Sequence, residues 1–327
     1  MKSRLRGLRV SLVNLWDVAA REEEIRELET KINQKTLGIL CGVSAGVVWG
    51  FEAVLGKFLF SSFTVIQVTT SELLFATVTA FVYALVRKEK WSFQMRDVKY
   101  LLIVGIVGTI LAPLLYFYGL TQTLAINATL IAHLQPFFVA ILGFYFLGEK
   151  MQKHDVVASV LIVFAAVLIT SRTVYNLANF KIGNFGDLMI LVATVSWAIV
   201  AIPGKQLVKD LTSSIIVRYR FLIASLFMLP LAVCLNQLVI NSIYQVLLGV
   251  LVGLGYILYY EGLKRLKTSQ VALTELSSPF FAAILARLLI NESITIMQII
   301  GALLLLLGLY MLTQEPIEEQ NASRNSL

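Results

Sequence analysis

Pro136-Phe-Phe-Val-Ala-Ile-Leu142 and Pro279-Phe-Phe-Ala-Ala-Ile-Leu285 are nearly the same heptapeptide, and each lies in an apolar run that meets a glutamate, Glu149 or Glu292. The separation is constant, since 279 minus 136 is 143 and 292 minus 149 is 143. The same shift carries Tyr116, Gly119 and Leu120 onto Tyr259, Gly262 and Leu263. A second register covers the front of each copy, where Trp49 and Lys57 map onto Trp197 and Lys205 at an offset of 148. The two registers part between Arg87 and Lys99, a polar connection that is longer in the first copy. Insertions belong in loops, so both registers describe one duplication.

Composition decides the solvent. The chain is 58% hydrophobic and 14% charged, with mean hydropathy +0.80, whereas a soluble domain carries about 25% charged residues. A helix crossing the hydrocarbon needs about 20 mostly apolar residues. Ten such segments are read at 37–57, 66–86, 100–120, 124–147, 154–171, 186–205, 214–235, 244–263, 268–290 and 295–313. The expected fold is an all-α polytopic membrane protein, ten transmembrane helices arranged as two inverted five-helix repeats. The first repeat spans 37–171 and the second 186–313. A cytoplasmic arm, 1–36, precedes them and a short polar tail, 314–327, follows.

Lys and Arg near helix ends are retained on the cytoplasmic side. They gather after the second span (Arg87, Lys88, Lys90, Arg96, Lys99), the fourth (Lys150, Lys153), the sixth (Lys209) and the eighth (Lys264, Arg265, Lys267). Arg172 and Lys181, after the fifth, run against the trend. Both termini are therefore expected in the cytoplasm, in a multi-pass protein of the plasma membrane. An odd number of spans per copy turns the second copy upside down, an arrangement that recurs in secondary transporters with the solute site near the midplane.

These residues resemble a known family. A Trp and a Lys on the first helix, a Pro within the fourth and a Glu closing it, all repeated, are similar to the ten-helix EamA-type carriers of the drug/metabolite transporter superfamily. The resemblance covers about 37–313. It implies a chamber lined by spans 1, 3, 4, 6, 8 and 9, and a secondary transporter that moves a small organic solute, an amino acid or related metabolite, by alternating access, with export as one direction. One departure stands out: the second copy has Arg218 and Arg220 on its second helix, while the position aligned with Arg220 in the first copy is Glu72. A role resting on a pair of arginines is therefore not expected.

Polar residues within the spans carry the candidate chemistry, because an ionisable group in hydrocarbon is costly unless it lines a cavity or reaches the headgroups. Glu52, His133 and Glu275 are the candidate solute contacts or proton carriers. Glu52 follows Trp49 by three residues and shares its helical face. Proline frees the carbonyl four residues earlier, which is Glu275 ahead of Pro279 and Ala132, beside His133, ahead of Pro136. Trp49, Tyr116, Trp197 and Tyr259 would supply aromatic walls able to pack an apolar group or attract an ammonium. Lys57, Lys205, Pro136, Pro279, Glu149 and Glu292 are read as structural or gating residues: the prolines as kinks or hinges, the glutamates as partners of nearby loop donors. Gly42, Gly46, Gly50, Gly56, Gly249, Gly253 and Gly255 are read as close packing of spans 1 and 8, and the four-residue spacings in span 1 leave a homodimer open.

Several classes are excluded or given little room. The net charge of +7 is accounted for by cytoplasmic Lys and Arg and calls for no nucleic acid. Two isolated cysteines, Cys41 and Cys234, and two histidines offer no disulfide framework, metal centre or zinc-peptidase motif. No nucleotide-binding loop is present, no cofactor is implied, and the bilayer and a solute are the expected partners, with proton or ion coupling available to the buried acids. A membrane-embedded enzyme or a lipid-binding scaffold is the rival reading. In the arm, Leu5, Leu8, Leu12 and Leu15 fall on one helical face among Lys2, Arg4, Arg6 and Arg9, which suits either a helix lying on an anionic leaflet or a solvated segment.

Overall fold

A computed structural model describes residues 33–88, 95–147, 153–266 and 268–312. The arm, the tail and Glu149 lie outside the described residues. The helices are α1 (Asn33–Leu59), α2 (Val65–Val86), α3 (Met95–Ile106), a π-helical turn at Val107–Leu111, α4 (Ala112–Gln122), α5 (Ala125–Ala132), α6 (Gln135–Leu147), α7 (Lys153–Ser171), α8 (Val174–Ala178), α9 (Phe185–Asp210), α10 (Ser213–Cys234), α11 (Ile243–Arg265), α12 (Thr268–Glu275), α13 (Ser277–Leu289) and α14 (Ile296–Leu312). Six helices are long and apolar enough to cross a membrane, the third being α3 to α4 taken as one, and four shorter apolar helices accompany them. The protein is an all-helical polytopic membrane protein.

The starts of the long helices are written in the sequence. Thr64 with Gln67 opens α2, Asn184 with Asp187 opens α9 and Ser242 with Gln245 opens α11, each by a reciprocal capping box that satisfies two orphan amides. α5 lacks such a cap, because Leu124 precedes it. Its first amides are taken instead by Glu292, whose Oε2 accepts from Ala125 N at 2.9 Å, with Ile126 N at 3.5 Å. The distant glutamate thus does what a local Ser or Asp does elsewhere, placing negative charge at a helix N-terminus. The donors are helix-start amides of a distant segment, where nearby loop donors were expected.

Two segments expected as continuous are broken. The fourth span is α5 and α6, parted at His133 and Leu134, and the ninth is α12 and α13, parted at Leu276. Both prolines, expected as kinks or hinges, stand just past these breaks. Pro136 and Pro279 fall in the first turns of α6 and α13, where the missing N–H would have had no partner anyway. Each span is therefore two half-helices whose facing ends lie inside the bundle. The third span carries its own irregularity, the π turn at Val107–Leu111, where Thr109 Oγ1 donates to Val104 O at 2.8 Å.

Helix contacts repeat across the chain. α2 packs along α11 and α10, α4 along α9, and α7 along α14. Where α2 meets α10, Thr77 Oγ1 and Ser225 Oγ lie 2.8 Å apart, and 225 minus 77 is 148, so two aligned residues touch each other. The lysines repeat as well. Lys57 Nζ donates to Leu120 O at 2.8 Å and Thr123 O at 2.6 Å, and Lys205 Nζ donates to Leu263 O at 2.8 Å and Leu266 O at 3.1 Å. Leu263 and Leu266 are Leu120 and Thr123 shifted by 143. Each lysine closes the carbonyl end of the helix two spans on, which is where a cation is favoured.

The expected glycine packing of spans 1 and 8 holds in part, since Gly255 and Gly262 of α11 both meet α1, but the stripe of α1 has a further partner. A Cβ on Gly42 would sit 1.9 Å from Thr274 Oγ1, one on Gly46 2.2 Å from Ser277 Oγ, and one on Gly50 2.9 Å from Ser278 O. The glycine stripe of α1 thus seats the broken ninth span and is not available to a second copy of the chain. In α11, Gly249 and Gly253 face α2, while Gly255 meets α1 at Val48 and Trp49. Close backbone approach, not dimerisation, accounts for the stripe.

Candidate functional site

The candidate residues converge where α1, α4, α5, α9, α11 and α12 meet. Trp49 Nε1 donates to Glu275 Oε1 at 2.7 Å, tying α1 to the end of α12. The indole ring packs against Tyr256 with centroids 4.8 Å apart. His133, the C-cap of α5, reaches the same place: its Nε2 lies 2.8 Å from Glu275 O and its Nδ1 2.7 Å from Thr129 O. The breaks of the fourth and ninth spans are therefore joined through one imidazole. The Glu275 carbonyl, at the end of α12, is the atom His133 meets.

Trp197 repeats Trp49 only in part. Its ring lies 5.4 Å from that of Tyr116, but its Nε1 donates to Gly108 O in the π turn at 3.2 Å, not to a carboxylate. Gln135 Nε2 approaches Trp197 O at 3.4 Å. Tyr259 packs edge-on to Tyr256 at 6.3 Å and to Tyr260 at 5.1 Å. Trp49, Glu52, His133, Trp197, Tyr259 and Glu275 are each partly exposed, although they lie at mid-span, while Tyr116 is buried at 4%. Partial exposure at these depths is the common feature of the candidate side chains.

Arg220, set aside on sequence grounds, is central. It is 2% exposed, and its donors go to Thr109 Oγ1 at 3.0 Å, Tyr260 Oη at 3.2 Å and Gly108 O at 3.3 Å. Its guanidinium also lies 3.6 Å from the Tyr256 ring centre. A buried cation stacked on an aromatic face and bonded through all three of its nitrogens is a strong arrangement. Gly108 O accepts from both Arg220 and Trp197, which supplies a reason for the π turn: carbonyls released from the helix ladder are used here. The signal that would have found Arg220 was the charge reversal itself, Glu72 in one copy against Arg220 in the other, on helices that meet at aligned positions. Tyr256, Tyr260 and Gln135 had no duplicated counterpart and gave no such signal.

Glu52 and Glu72 are the charged neighbours of this arginine. Glu72 is 2% exposed and its Oε2 has no hydrogen-bond partner among the described residues. Glu52 is partly exposed and likewise accepts no hydrogen bond from a described residue. One guanidinium, bonded to Thr109, Tyr260 and Gly108, is thus the electrostatic neighbour of two carboxyl groups.

At the Lys57 end a second polar network closes the bundle. Asp187 Oδ1 accepts from Thr123 Oγ1 at 2.6 Å and from Asn127 Nδ2 at 2.8 Å, with the Arg172 guanidinium 3.9 Å away. Gln298 Nε2 donates to Asn127 Oδ1 at 3.0 Å. Burial pushes the Glu292 carboxyl up from its ordinary value, and the Ala125 and Ile126 amides, with Lys57 and Arg172, pull against that rise. No group of three His, Cys, Asp or Glu suited to a metal ion occurs among the described residues.

The chain matches the EamA-like transporter family over residues 36–171 and again over 184–314. It belongs to that family. Among similar EamA-like proteins is an uncharacterized transporter of Methanothermobacter thermautotrophicus, 26% identical over 294 residues, covering 84% of this chain and 85% of that one. A protein of Escherichia coli K12 named "Probable amino-acid metabolite efflux pump" is 27% identical over 201 residues, covering 56% of this chain and 66% of its own length. One solved crystal structure superposes with a TM-score of 0.62 at 17% identity, over 84% of this chain and 96% of the other, which supports the fold. These names point to transporters, not enzymes.

Proposed function

We propose that this EamA-like protein is a secondary carrier that moves a small organic solute, an amino acid or related metabolite, across the plasma membrane by alternating access. The observation that carries this reading is Glu52: a mid-span carboxyl, partly exposed, accepting no hydrogen bond from a described residue, an electrostatic neighbour of Tyr256, whose ring packs on Trp49 one turn before Glu52. An anionic group kept from protein donors among aromatic faces suits an ammonium group, which is drawn by both. Glu275 is less free, because Trp49 holds it. Tyr116 and Trp197 form the opposite wall and receive the remainder of the solute.

The two five-helix units, 37–171 and 186–313, would rock against each other about this site, with both termini in the cytoplasm and the Lys57 end facing outward. The polar network of Asp187, Asn127, Thr123 and Gln298 then forms the outer closure, the part that opens when the site is offered to the far side. The E. coli relative's name supports the solute class and export as the direction. Purified protein in liposomes, loaded with radiolabelled amino acids or their amine derivatives, tests the proposal. The expectation is solute-dependent flux that Glu52→Gln abolishes, because the amide has no charge for the ammonium. Flux of none of these solutes, with or without the glutamate, would remove the carrier reading and favour a lipid-binding scaffold.

A further inference from the structure

We infer that His133 is a proton-binding site, and that the bound proton fastens the broken fourth span to the broken ninth. The inference rests on the carrier reading and deepens it by naming the coupled ion and its seat. It starts from what the imidazole faces. Nδ1 lies 2.7 Å from Thr129 O and Nε2 lies 2.8 Å from Glu275 O. Both partners are backbone carbonyl oxygens, which accept and never donate. A neutral imidazole has one N–H and one bare lone pair, so in either tautomer one of the two contacts would set a lone pair against a carbonyl oxygen. Only the imidazolium, with two N–H groups, satisfies both.

The helix ends give a second, independent argument. α5 ends at Ala132 and α12 ends at Glu275, so the carbonyl ends of two half-helices meet at this ring. Each such end carries partial negative charge and favours a cation beside it, and interrupted spans in transporters use half-helix C-termini in this way. The surrounding groups fit. From α12 comes the Glu275 carboxyl, held by Trp49 of α1, one turn from Glu52 on the same helix. From α11 comes Tyr259, an electrostatic neighbour of Glu275. α4 brings Tyr116, while α9 contributes Thr194, whose hydroxyl approaches Ile131 O at 3.4 Å, and Trp197. α13 has one basic residue, Arg287, in its last turn and bonded to Asn291 at the far end. The acid at the ring is thus Glu275, with Glu52 a turn beyond Trp49, and no described Lys or Arg bonds to it.

The mechanical consequence lies in the count of donors. With the proton bound, the ring donates once within α5, to Thr129 O, and once across to Glu275 O at the end of α12. When the proton leaves, one donor is lost; a ring that keeps its remaining proton on Nδ1 gives up the link to Glu275 O, and the two half-helix ends are then free to part. Proton release would then accompany the movement that exchanges the solute site between the two sides.

Nitrogen NMR of the full chain in lipid, with histidine ring nitrogens labelled and His154→Gln leaving His133 as the sole histidine, reads the site directly. The expected result at pH 6 is two protonated ring nitrogens, converting at higher pH to a single tautomer with one bare nitrogen. Solute flux in liposomes should change over the same pH interval, and His133→Gln should lose that pH dependence whereas His154→Gln should keep it. A ring neutral throughout pH 5 to 8 would overturn the inference while leaving the carrier reading intact. A doubly protonated ring in a protein that moves no solute would keep the proton site and remove the carrier. Should His133→Gln fail to fold, the spectrum of the native ring still decides.

Discussion

Trp49 and Trp197 occupy aligned positions but hold unlike acceptors, and the difference has a magnitude. A hydrogen bond to a charged group contributes about 1.5–3 kcal/mol and a neutral one about 0.5–1.5 kcal/mol. Trp49→Phe strips the indole donor from Glu275 and is expected to lower stability by more than Trp197→Phe, which loses a longer bond to a backbone carbonyl; thermal unfolding in detergent compares them, and equal losses would place Glu275 in its neutral form. Glu292 offers a pH test at the same scale. Its carboxyl is raised above the ordinary value by burial, so the folded state holds this proton more tightly than the unfolded chain does. Its contribution is present below the unfolded value and is lost as pH rises through the folded one. Glu292→Gln still accepts from Ala125 N and does not titrate, so the variant's melting temperature should gain on the wild type's as pH rises through that window; a constant difference would show that Glu292 titrates as an ordinary surface acid. Lys57 and Lys205 were legible in the sequence because duplication marked them, and their shared bonding shows why both copies retain a lysine: it closes a carbonyl end, a need the fold has twice.

At the scale of elements, the informative feature is the pair of interrupted spans. The sequence reading placed them correctly as segments and singled out Glu275, but took the prolines as kinks or hinges of continuous helices. A proline in a first turn costs no hydrogen bond, so the interruption is held by the groups gathered at the break, above all by His133 and the carbonyl ends around it. Pro136→Ala and Pro279→Ala are therefore expected to change stability by about 1 kcal/mol or less, the size of an unfolded-state effect, with flux retained. A change near the roughly 3 kcal/mol of an interior helical proline, or loss of the break in helix-directed hydrogen exchange, would return the prolines to the role of hinges. The π turn had no sequence signal, because it arises from contacts that Arg220 and Trp197 make from other helices. Likewise the glycine spacing in α1 announced close packing but not its further partner. Periodicity reports that a face is small; the Thr274, Ser277 and Ser278 positions of the ninth span report what fills it.

For the whole molecule, the duplication predicts more than a count of helices. Aligned residues touch at Thr77 and Ser225, where two copies of one helix cross, and the difference between Glu72 and Arg220 lies on those same two helices. The internal symmetry is thus broken where charge is concentrated, as a carrier needs if its two sides are to meet one solute differently. Nothing in composition or hydropathy could show this, since both residues count simply as buried charge. A double-mutant cycle on Thr77→Val and Ser225→Ala should return a coupling of about 0.6 kcal/mol, typical of polar contacts between membrane helices; zero coupling would mean that the aligned residues do not meet. The opposed polarity of the two units is the claim on which the solute chamber rests. Its most direct test uses single cysteines at Thr121 and Lys264, which are aligned residues at the lysine-closed helix ends, in a chain from which Cys41 and Cys234 have been removed. An impermeant thiol reagent applied to intact cells should label the Thr121 site from outside and the Lys264 site only after the membrane is opened. Labelling of both sites from the same face would contradict the inverted arrangement.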